Sequence, residues 1–237
     1  MEESKKKGLF YLIRERVKKE KNRPKEINPE TRKRNIKKWC TFYRRNINLY
    51  ASRHLKIRLY PFQHIILYLM GISQVFFAIC SRGLSKSFIT ALYGMCKCLL
   101  YPYSEVHITS STIPQATKMM KEKMEGELCK KLSPVLKYYY EHELIKFHYG
   151  KEEIWVEFTM NGSKMWIDPA SDTARGGRGT LLIYEECRLL KKGIIDSVFE
   201  KMAHPRQAIF LTLPEYAGNK RWIEECQSIY ITSARFK

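Results

Sequence analysis

A lysine and a serine stand side by side in a short polar loop, residues 81–87 (SRGLSKS), directly after an apolar run. If the run is a strand and a helix follows, the loop presents backbone N–H groups and the positive end of the helix dipole, which together bind phosphate. The Lys86 ammonium would then neutralise phosphate oxygens, and the Ser87 hydroxyl would bind Mg²⁺. The spacing therefore predicts a loop that holds a nucleotide.

The loop differs in its glycines from the common phosphate-binding pattern, G-x-x-x-x-G-K-[ST]. Cys80 stands at the first glycine position and Ser85 at the second, so Gly83 is the only glycine in the loop. A Lys-Ser pair after a strand is common by chance, and the loop alone is a weak indication. A second, independent signal is therefore needed.

Two consecutive carboxylates, Glu185 and Glu186, provide that signal at the end of the apolar run TLLIY. In NTPases of the additional-strand, catalytic-glutamate (ASCE) type, the first carboxylate holds Mg²⁺ through water and the second orients the attacking water. Glu185 is one methylene longer than the usual aspartate. Two ordinary solvated charges after a strand are the alternative, but the loop and the acid pair together favour an ATPase.

The elements that must position these residues follow from the alternation of apolar and polar runs. The run VFFAIC before the loop predicts a central strand covered on both faces, and TLLIY predicts a second buried strand. The runs LIKFHY and IWVEFTM, separated by GKEE, predict a β-hairpin. Further strands are predicted at residues 105–110, 208–212 and 229–233, with helices at residues 62–70, 87–99, 114–140 and 194–202. The order predicts an α/β fold with a mostly parallel central sheet flanked by helices and a β-hairpin insertion.

The charge of the chain is concentrated near its N-terminus. The formal net charge is +19, and residues 1–58 hold 20 Lys and Arg against six Asp and Glu. Such a surplus favours contact with a polyanion, with nucleic acid as the first candidate and an anionic membrane surface as the second. We therefore expect a basic helical arm over residues 1–54 and a globular domain over residues 55–237.

The cysteines and the hydropathy of the sequence indicate the cellular environment of the protein. Seven cysteines are scattered with no C-x-x-C pair, which argues against a disulfide framework or a zinc site and favours a reducing cytosol. The apolar run that begins at Ile65 is shorter than the roughly 20 residues that cross a bilayer. The sequence therefore predicts no membrane span, and we expect no membrane among the partners.

Several segments, in this order along residues 55–237, resemble the large subunits of phage-type DNA-packaging terminases. The segment LYPFQHIILYLM is similar to the family's adenine-contacting motif, and SRGLSKS, with an arginine four residues before the lysine, is similar to its P-loop. The stretch FTMNGSKMWIDPASDTARGGRGTLLIYEE resembles the hairpin, Arg-Gly element and acidic strand. The segment ITSARFK resembles the coupling motif, which links the γ-phosphate to movement.

The resemblance implies roles for particular residues. Arg175, ten residues before Glu185, would reach the nucleotide of a neighbouring subunit, and Arg178 is the competing candidate. Thr232 and Ser233 would couple hydrolysis to movement, with Thr212 as a second candidate. Glu186, Arg82 and Arg175 would be catalytic, and Ser87 and Glu185 would hold Mg²⁺. ATP would be bound by Gln63, Ser81, Arg82, Gly83, Leu84, Ser85, Lys86 and Ser87.

The family's function follows as an expectation. The resemblance implies a P-loop NTPase of the ASCE type, the ATP-hydrolysing motor domain that moves double-stranded DNA into a procapsid, without the nuclease domain that such subunits usually carry. The implied partners are duplex DNA, the portal protein, the small terminase subunit and further copies of the chain in a ring, in the host cytoplasm. A helicase-like or repair translocase is one alternative, and a non-catalytic nucleic-acid-binding protein with a degenerate P-loop is another.

Overall fold

The structure, a computed structural model, describes residues 28–110, 112–150, 153–169, 177–206, 214 and 224–234. The chain divides into two compact units, Met1–Trp39 and Cys40–Lys237. In the first unit, the Asn28 side chain accepts a hydrogen bond from the Glu30 N–H at 3.1 Å, at the start of helix α1 (Pro29–Arg45). This is the bond that an N-terminal helix cap makes. The predicted division into residues 1–54 and 55–237 stays a prediction.

The second unit is built on a seven-stranded sheet in the order β1-β7-β6-β2-β5-β4-β3. Strands β1, β7, β6, β2 and β5 pair in parallel, and β5, β4 and β3 pair antiparallel. The strands are β1 (Val75–Cys80), β2 (Glu105–Ser110), β3 (Ile145–Tyr149), β4 (Ile154–Phe158), β5 (Ser163–Pro169), β6 (Leu181–Glu185) and β7 (Gln227–Ser233). The predicted α/β architecture with a mostly parallel sheet is confirmed.

Strand β6 carries the acid pair at its end and lies inside the sheet, between β7 and β2. All five of its residues are buried, as expected for a parallel strand that is covered on both faces. Strand β7 lies between β6 and β1, so that the ends of these three strands are neighbours. In the pairing, Cys80 lies beside Ser233, and Glu185 lies beside Ile231.

One face of the sheet holds the main hydrophobic core. Its helical elements are α2 (Ile47–Leu49), a π-helical turn (Tyr50–His54), α3 (Pro61–Ile72), α4 (Lys86–Leu100), α5 (Ile113–Lys118), a π-helical segment (Met119–Leu132) and α6 (Pro134–Glu141). Met119, Met120 and Met124 are buried in this core with Leu128. The helix predicted at residues 114–140 is interrupted, because Ser133 caps a new helix that begins at Pro134.

A smaller cluster covers the other face. It includes Leu182 and Tyr184 of β6 and Leu190, Val198 and Met202. The covering elements are a 3₁₀ turn (Cys187–Leu189), α7 (Lys192–Ile194), a π-helical turn (Ile195–Phe199) and α8 (Glu200–Met202). The strand predicted at residues 208–212 lies outside the described residues.

The antiparallel strands form the far side of the sheet. The runs predicted to pair as a hairpin do pair antiparallel, as β3 and β4. The Asn-Gly turn between β4 and β5 has Gly162 at φ +70°, a conformation that glycine adopts at little cost. That these strands are an insertion into the P-loop fold stays a prediction.

The position predicted for the strand VFFAIC is wrong. Among the described strands, β1 lies at the edge of the sheet rather than at its centre. Its outward residues Val75, Phe77 and Ile79 are 66%, 59% and 63% exposed. A continuous apolar run does not distinguish a strand covered on both faces from one whose second face stays open, because the pattern carries no information on neighbours. Within the described part of the chain, no helix is long and apolar enough to cross a bilayer.

Candidate nucleotide-binding site

The predicted phosphate loop connects β1 to the start of helix α4. Lys86 is the first residue of the helix, and its ammonium donates back to the Ser81 carbonyl at 3.2 Å. Ser85, at φ +50° and ψ +33°, is left-handed, and Gly83 has φ +82°. A left-handed serine costs backbone energy, and such conformations concentrate at functional sites. The loop therefore makes a turn at Ser85 that the common pattern makes with glycine.

Glu185, the last residue of β6, faces the start of helix α4. The Ser87 hydroxyl donates a hydrogen bond to the Glu185 carboxylate, which is buried. Burial raises the pKa of this carboxyl; the Ser87 hydrogen bond opposes that effect, and the charge of Glu186 adds to it. The two oxygen-bearing side chains predicted to hold Mg²⁺ are therefore in direct contact.

Glu186 links the loop to the end of β7. Its carboxylate lies 3.9 Å from the Lys86 ammonium, accepts the Ser233 N–H at 3.0 Å and also accepts the Ser233 hydroxyl. The Thr232 hydroxyl lies 3.4 Å from the same carboxylate. Partial burial raises the pKa of Glu186, but the Ser233 and Thr232 hydrogen bonds and the Lys86 charge outweigh it, so the pKa is lowered.

The two neighbouring carboxyls thus have pKa values displaced in opposite directions. Glu185 is displaced toward the neutral form, and Glu186 is held as a carboxylate. Adjacent acids with separated pKa values are the usual arrangement of groups with different roles in one site. Glu186 also sits at φ +50°, in the left-handed region, which turns the chain sharply after the strand. The arrangement suits one acid as a metal ligand and the other as a base.

A cavity of about 840 Å³ opens beside the loop. Such a volume suits a ligand of nucleotide size. It is lined by loop residues with Lys86 and Ser87, by Glu186, by Leu59, Tyr60 and Gln63, and by Arg58, Phe88, Lys123, Glu127 and Leu132. Gln63 is buried, and the Tyr60 N–H donates to its side-chain oxygen at 2.9 Å, which fixes the amide's orientation. The apolar and amide groups lie where a base could pack beyond the phosphates.

A smaller cavity of about 270 Å³ adjoins the acids and is lined by Ser87, Gln115, Lys118, Met119, Glu122, Lys123, Glu185 and Glu186. Mg²⁺ prefers oxygen ligands and usually keeps several waters, with one or two protein ligands plus phosphate oxygens. The Ser87 hydroxyl and the Glu185 carboxylate fit that requirement. No group of three or more His, Cys, Asp or Glu in the described residues could hold a metal alone, so a site here would depend on nucleotide oxygens.

Several predicted residues lie apart from this arrangement. Arg82 is exposed on the loop, and neither cavity's lining, as described, includes it. Arg178 is also exposed, and its carbonyl faces the buried His107 ring at 3.3 Å. Arg175 and Thr212 lie outside the described residues. The catalytic roles of Arg82 and Arg175 stay predictions.

Sequence reasoning missed three charged residues that line the larger cavity, Arg58, Lys123 and Glu127. Lys123 and Glu127 stand four positions apart on the helical stretch after β2, and their side chains pair at 2.5 Å. No local signal in the sequence marks them. A helix that follows a parallel strand starts at the edge of the sheet where sites form, but these residues lie beyond the first turns of the helical stretch that begins at Ile113.

No protein-family model and no curated protein matches the sequence. The structure is similar to the ATPase domain of the large terminase of Thermus phage P74-26, with a TM-score of 0.54 at 13% identity, over 78% of this chain and 69% of that one. A mutant of the same domain gives the same TM-score and identity, over 78% and 68%. The N-terminal domain of the bacteriophage phi29 DNA packaging ATPase is more distant, at 0.37 and 12%, over 67% and 72%. On the first two, the chain has the fold of a phage large terminase ATPase domain.

Proposed function

We propose that this chain is the ATP-hydrolysing motor domain of a terminase large subunit, which moves double-stranded viral DNA into a procapsid. One observation carries the proposal: the Glu186 carboxylate contacts both the Lys86 ammonium and the β7 end at Ser233. Glu186 thus connects Lys86, which would bind the phosphate, to the end of β7, which would move when the phosphate is released. The likeness of fold to a large terminase ATPase domain supports the same reading.

ATP would bind with its phosphates on the loop and its base toward Gln63. The Lys86 ammonium, freed from the Ser81 carbonyl, would contact the terminal phosphates, and backbone N–H groups at the start of helix α4 would hold the others. Ser87 and Glu185 would hold Mg²⁺, which would neutralise phosphate charge. Because metal binding requires the ionised carboxylate, it would oppose the effect of burial, which raises the pKa of Glu185.

Glu186 would act as the base that orients and deprotonates water. Its lowered pKa keeps it ionised at neutral pH, which this role requires. Its oxygens contact Ser233 and Thr232. Turning Glu186 toward water would break those contacts and release the end of β7. Thr232 and Ser233 would in this way couple the state of the nucleotide to movement.

Translocation would need DNA and neighbouring subunits. We expect the basic arm to contact the phosphate backbone without reading sequence, because the surplus charge suits counterion release. A ring of copies on the portal protein, assisted by the small terminase subunit in the host cytoplasm, would let an arginine from one copy complete the next copy's site. Arg175 is the first candidate for that arginine, and Arg178 is the second.

The test is Mg²⁺-dependent ATP hydrolysis, measured with and without duplex DNA, in the wild type and in Lys86→Ala. The proposal expects hydrolysis that duplex DNA stimulates and that Lys86→Ala abolishes. Stimulation by single strands but not by duplex would replace it with a helicase-like translocase. Salt-dependent DNA binding with no hydrolysis under any condition would replace it with a non-catalytic binding protein.

A further inference from the structure

The two cavities at the carboxyl edge of the sheet share part of their walls. Three residues line both of them: Ser87, Glu186 and Lys123. The first two already have roles in the proposed function, as the metal-binding hydroxyl and the base that activates water. Their junction is the place where a terminal phosphate, its metal and the attacking water would meet. The third residue at the junction is Lys123, which has no part in the proposed function.

The position of Lys123 depends on the π-helical segment Met119–Leu132. One side of this segment is fixed in the core by Met119, Met120, Met124 and Leu128. The side chain of Lys123 is 34% exposed and lines both cavities. Because the core residues fix the backbone around it, the ammonium can change partners by side-chain rotation alone.

The Lys123 ammonium pairs with Glu127. The two side chains pair at 2.5 Å, and both line the larger cavity. A terminal phosphate carries more negative charge than one carboxylate and offers more acceptor oxygens. A phosphate at the junction would therefore compete with Glu127 for this ammonium. Lys118 differs, because its side chain is 70% exposed, pairs with Glu122 at 4.0 Å and lines the smaller cavity.

Charged side chains of both signs surround the two cavities. Four cations line the two walls, Arg58, Lys86, Lys118 and Lys123, and four acids line them, Glu122, Glu127, Glu185 and Glu186. ATP with one Mg²⁺ would bring about two further negative charges. Lys86 can contact part of that charge, and Lys123 is the second ammonium at the junction.

We propose that Lys123 is a further catalytic residue, which leaves Glu127 and binds the terminal phosphate when ATP enters. Glu127 is then the group that holds Lys123 away from the site while no terminal phosphate is present. This inference rests on the proposed function, since it concerns the same nucleotide. Lys123 would therefore distinguish ATP from ADP. Lys86 would bind phosphates of both nucleotides, whereas Lys123 would bind only the third phosphate, which ADP lacks.

The test compares the affinities for ADP and for a non-hydrolysable ATP analogue, both with Mg²⁺, by calorimetry. Lys123→Met keeps the aliphatic stem and removes the charge, and it should weaken binding of the analogue by about 10-fold or more while leaving ADP affinity within about 2-fold. Glu127→Gln frees Lys123 and should tighten binding of the analogue several-fold, again without changing ADP affinity. Lys130→Met is the matched control and should change neither, because Lys130 pairs with Glu125 at 2.6 Å on the same segment and neither cavity's lining, as described, includes it.

Each other outcome has a defined meaning. Equal losses for both nucleotides in Lys123→Met would make Lys123 a general part of the pocket and overturn the inference. Unchanged analogue affinity in that variant would also overturn it, provided that the wild type binds the analogue and Lys86→Ala does not. Failure of the wild type to bind either nucleotide would instead overturn the proposed function. Matching thermal melting curves exclude misfolding as the cause of any loss.

Discussion

The two edges of the parallel sheet handle polar groups in opposite ways. At the amino edge, the buried Gln227 side chain accepts the Tyr93 hydroxyl at 2.8 Å and donates to the carbonyls of Met70 and Ser73 at 2.5 and 2.6 Å. Each group has its partner inside the protein. At the carboxyl edge, Glu185 and Glu186 stand side by side against open cavities.

The difference indicates that the polar groups at the amino edge stabilise the fold, whereas those at the carboxyl edge are available for binding and catalysis. A fully satisfied buried network ties helix α3, helix α4 and strand β7 together, and it would gain nothing from a ligand. The carboxyl edge holds two left-handed non-glycine residues, Ser85 and Glu186, and an acid whose pKa is raised by burial. These features cost energy, and groups of this kind concentrate at functional sites. Mutations at the two edges should therefore separate activity from stability.

The largest expected effect is the loss of hydrolysis in Glu186→Gln. The amide can still contact Ser233 but cannot accept a proton from water, so we expect turnover to fall by about 100-fold or more with nucleotide affinity nearly unchanged. Steady-state hydrolysis and equilibrium binding measure the two quantities. Glu225→Gln, at the amino edge, is the control and should retain wild-type turnover. Unaltered turnover in Glu186→Gln would show that Glu186 is not the base, and the two edges would then not differ in their contribution to activity.

The next effect concerns stability at the amino edge. Gln227→Leu removes the donor to the Ser73 carbonyl and one of two donors to the Met70 carbonyl, which keeps the Tyr93 hydroxyl at 3.0 Å, and we expect the free energy of unfolding to drop by about 1–3 kcal/mol. Chemical denaturation measures this loss, and nucleotide affinity of the folded protein should stay the same. Ser228→Ala, one position along the same strand, should cost much less. A small effect of Gln227→Leu would mean that the network does not stabilise the fold as its geometry indicates.

The smallest effect is the pH dependence that Glu185 contributes. Its pKa is raised in the folded protein, so its contribution to stability is present below the ordinary glutamate pKa and is lost as pH rises through the raised value. Glu185→Gln removes that loss, and at higher pH the nucleotide-free variant should be more stable than wild type by on the order of 1 kcal/mol. Thermal denaturation of both proteins across this window checks it.

Two observations accompany that comparison. Mg²⁺-nucleotide affinity of the wild type should rise over the same window, because the metal needs the ionised carboxylate. Glu186, whose pKa is lowered, contributes in the opposite sense, because its contribution to stability is lost as pH falls through the lowered value. Both proteins contain Glu186, so its contribution cancels when their stabilities are subtracted. An identical pH dependence in the two proteins would show that burial does not perturb Glu185.

The sequence predicts the strands and the loop well because both depend on local patterns. The run TLLIY and the spacing of Lys86 and Ser87 indicate a buried strand and a phosphate loop without knowledge of neighbours. The contact of Glu186 with Ser233 is different, because it joins residues far apart in the chain and depends on β7 lying beside β6. Gln227 lies just before the strand that its apolar pattern predicts, so its network is not visible locally. Lys123 is another case, since no motif marks it and only the meeting of two cavities reveals it.

The place of β1 at the edge of the described strands affects the behaviour of the protein in solution. Among these strands β1 pairs on one side, and its row of exposed apolar residues, Val75, Phe77 and Ile79, is a surface on which chains can aggregate. The net charge of +19 opposes this by holding copies apart. At physiological ionic strength, salt screens that repulsion between charges more than about 8 Å apart, and it leaves the apolar row unchanged. High salt, a common remedy for basic proteins that carry bound nucleic acid, would thus favour precipitation, and dilute buffers would keep the protein dispersed.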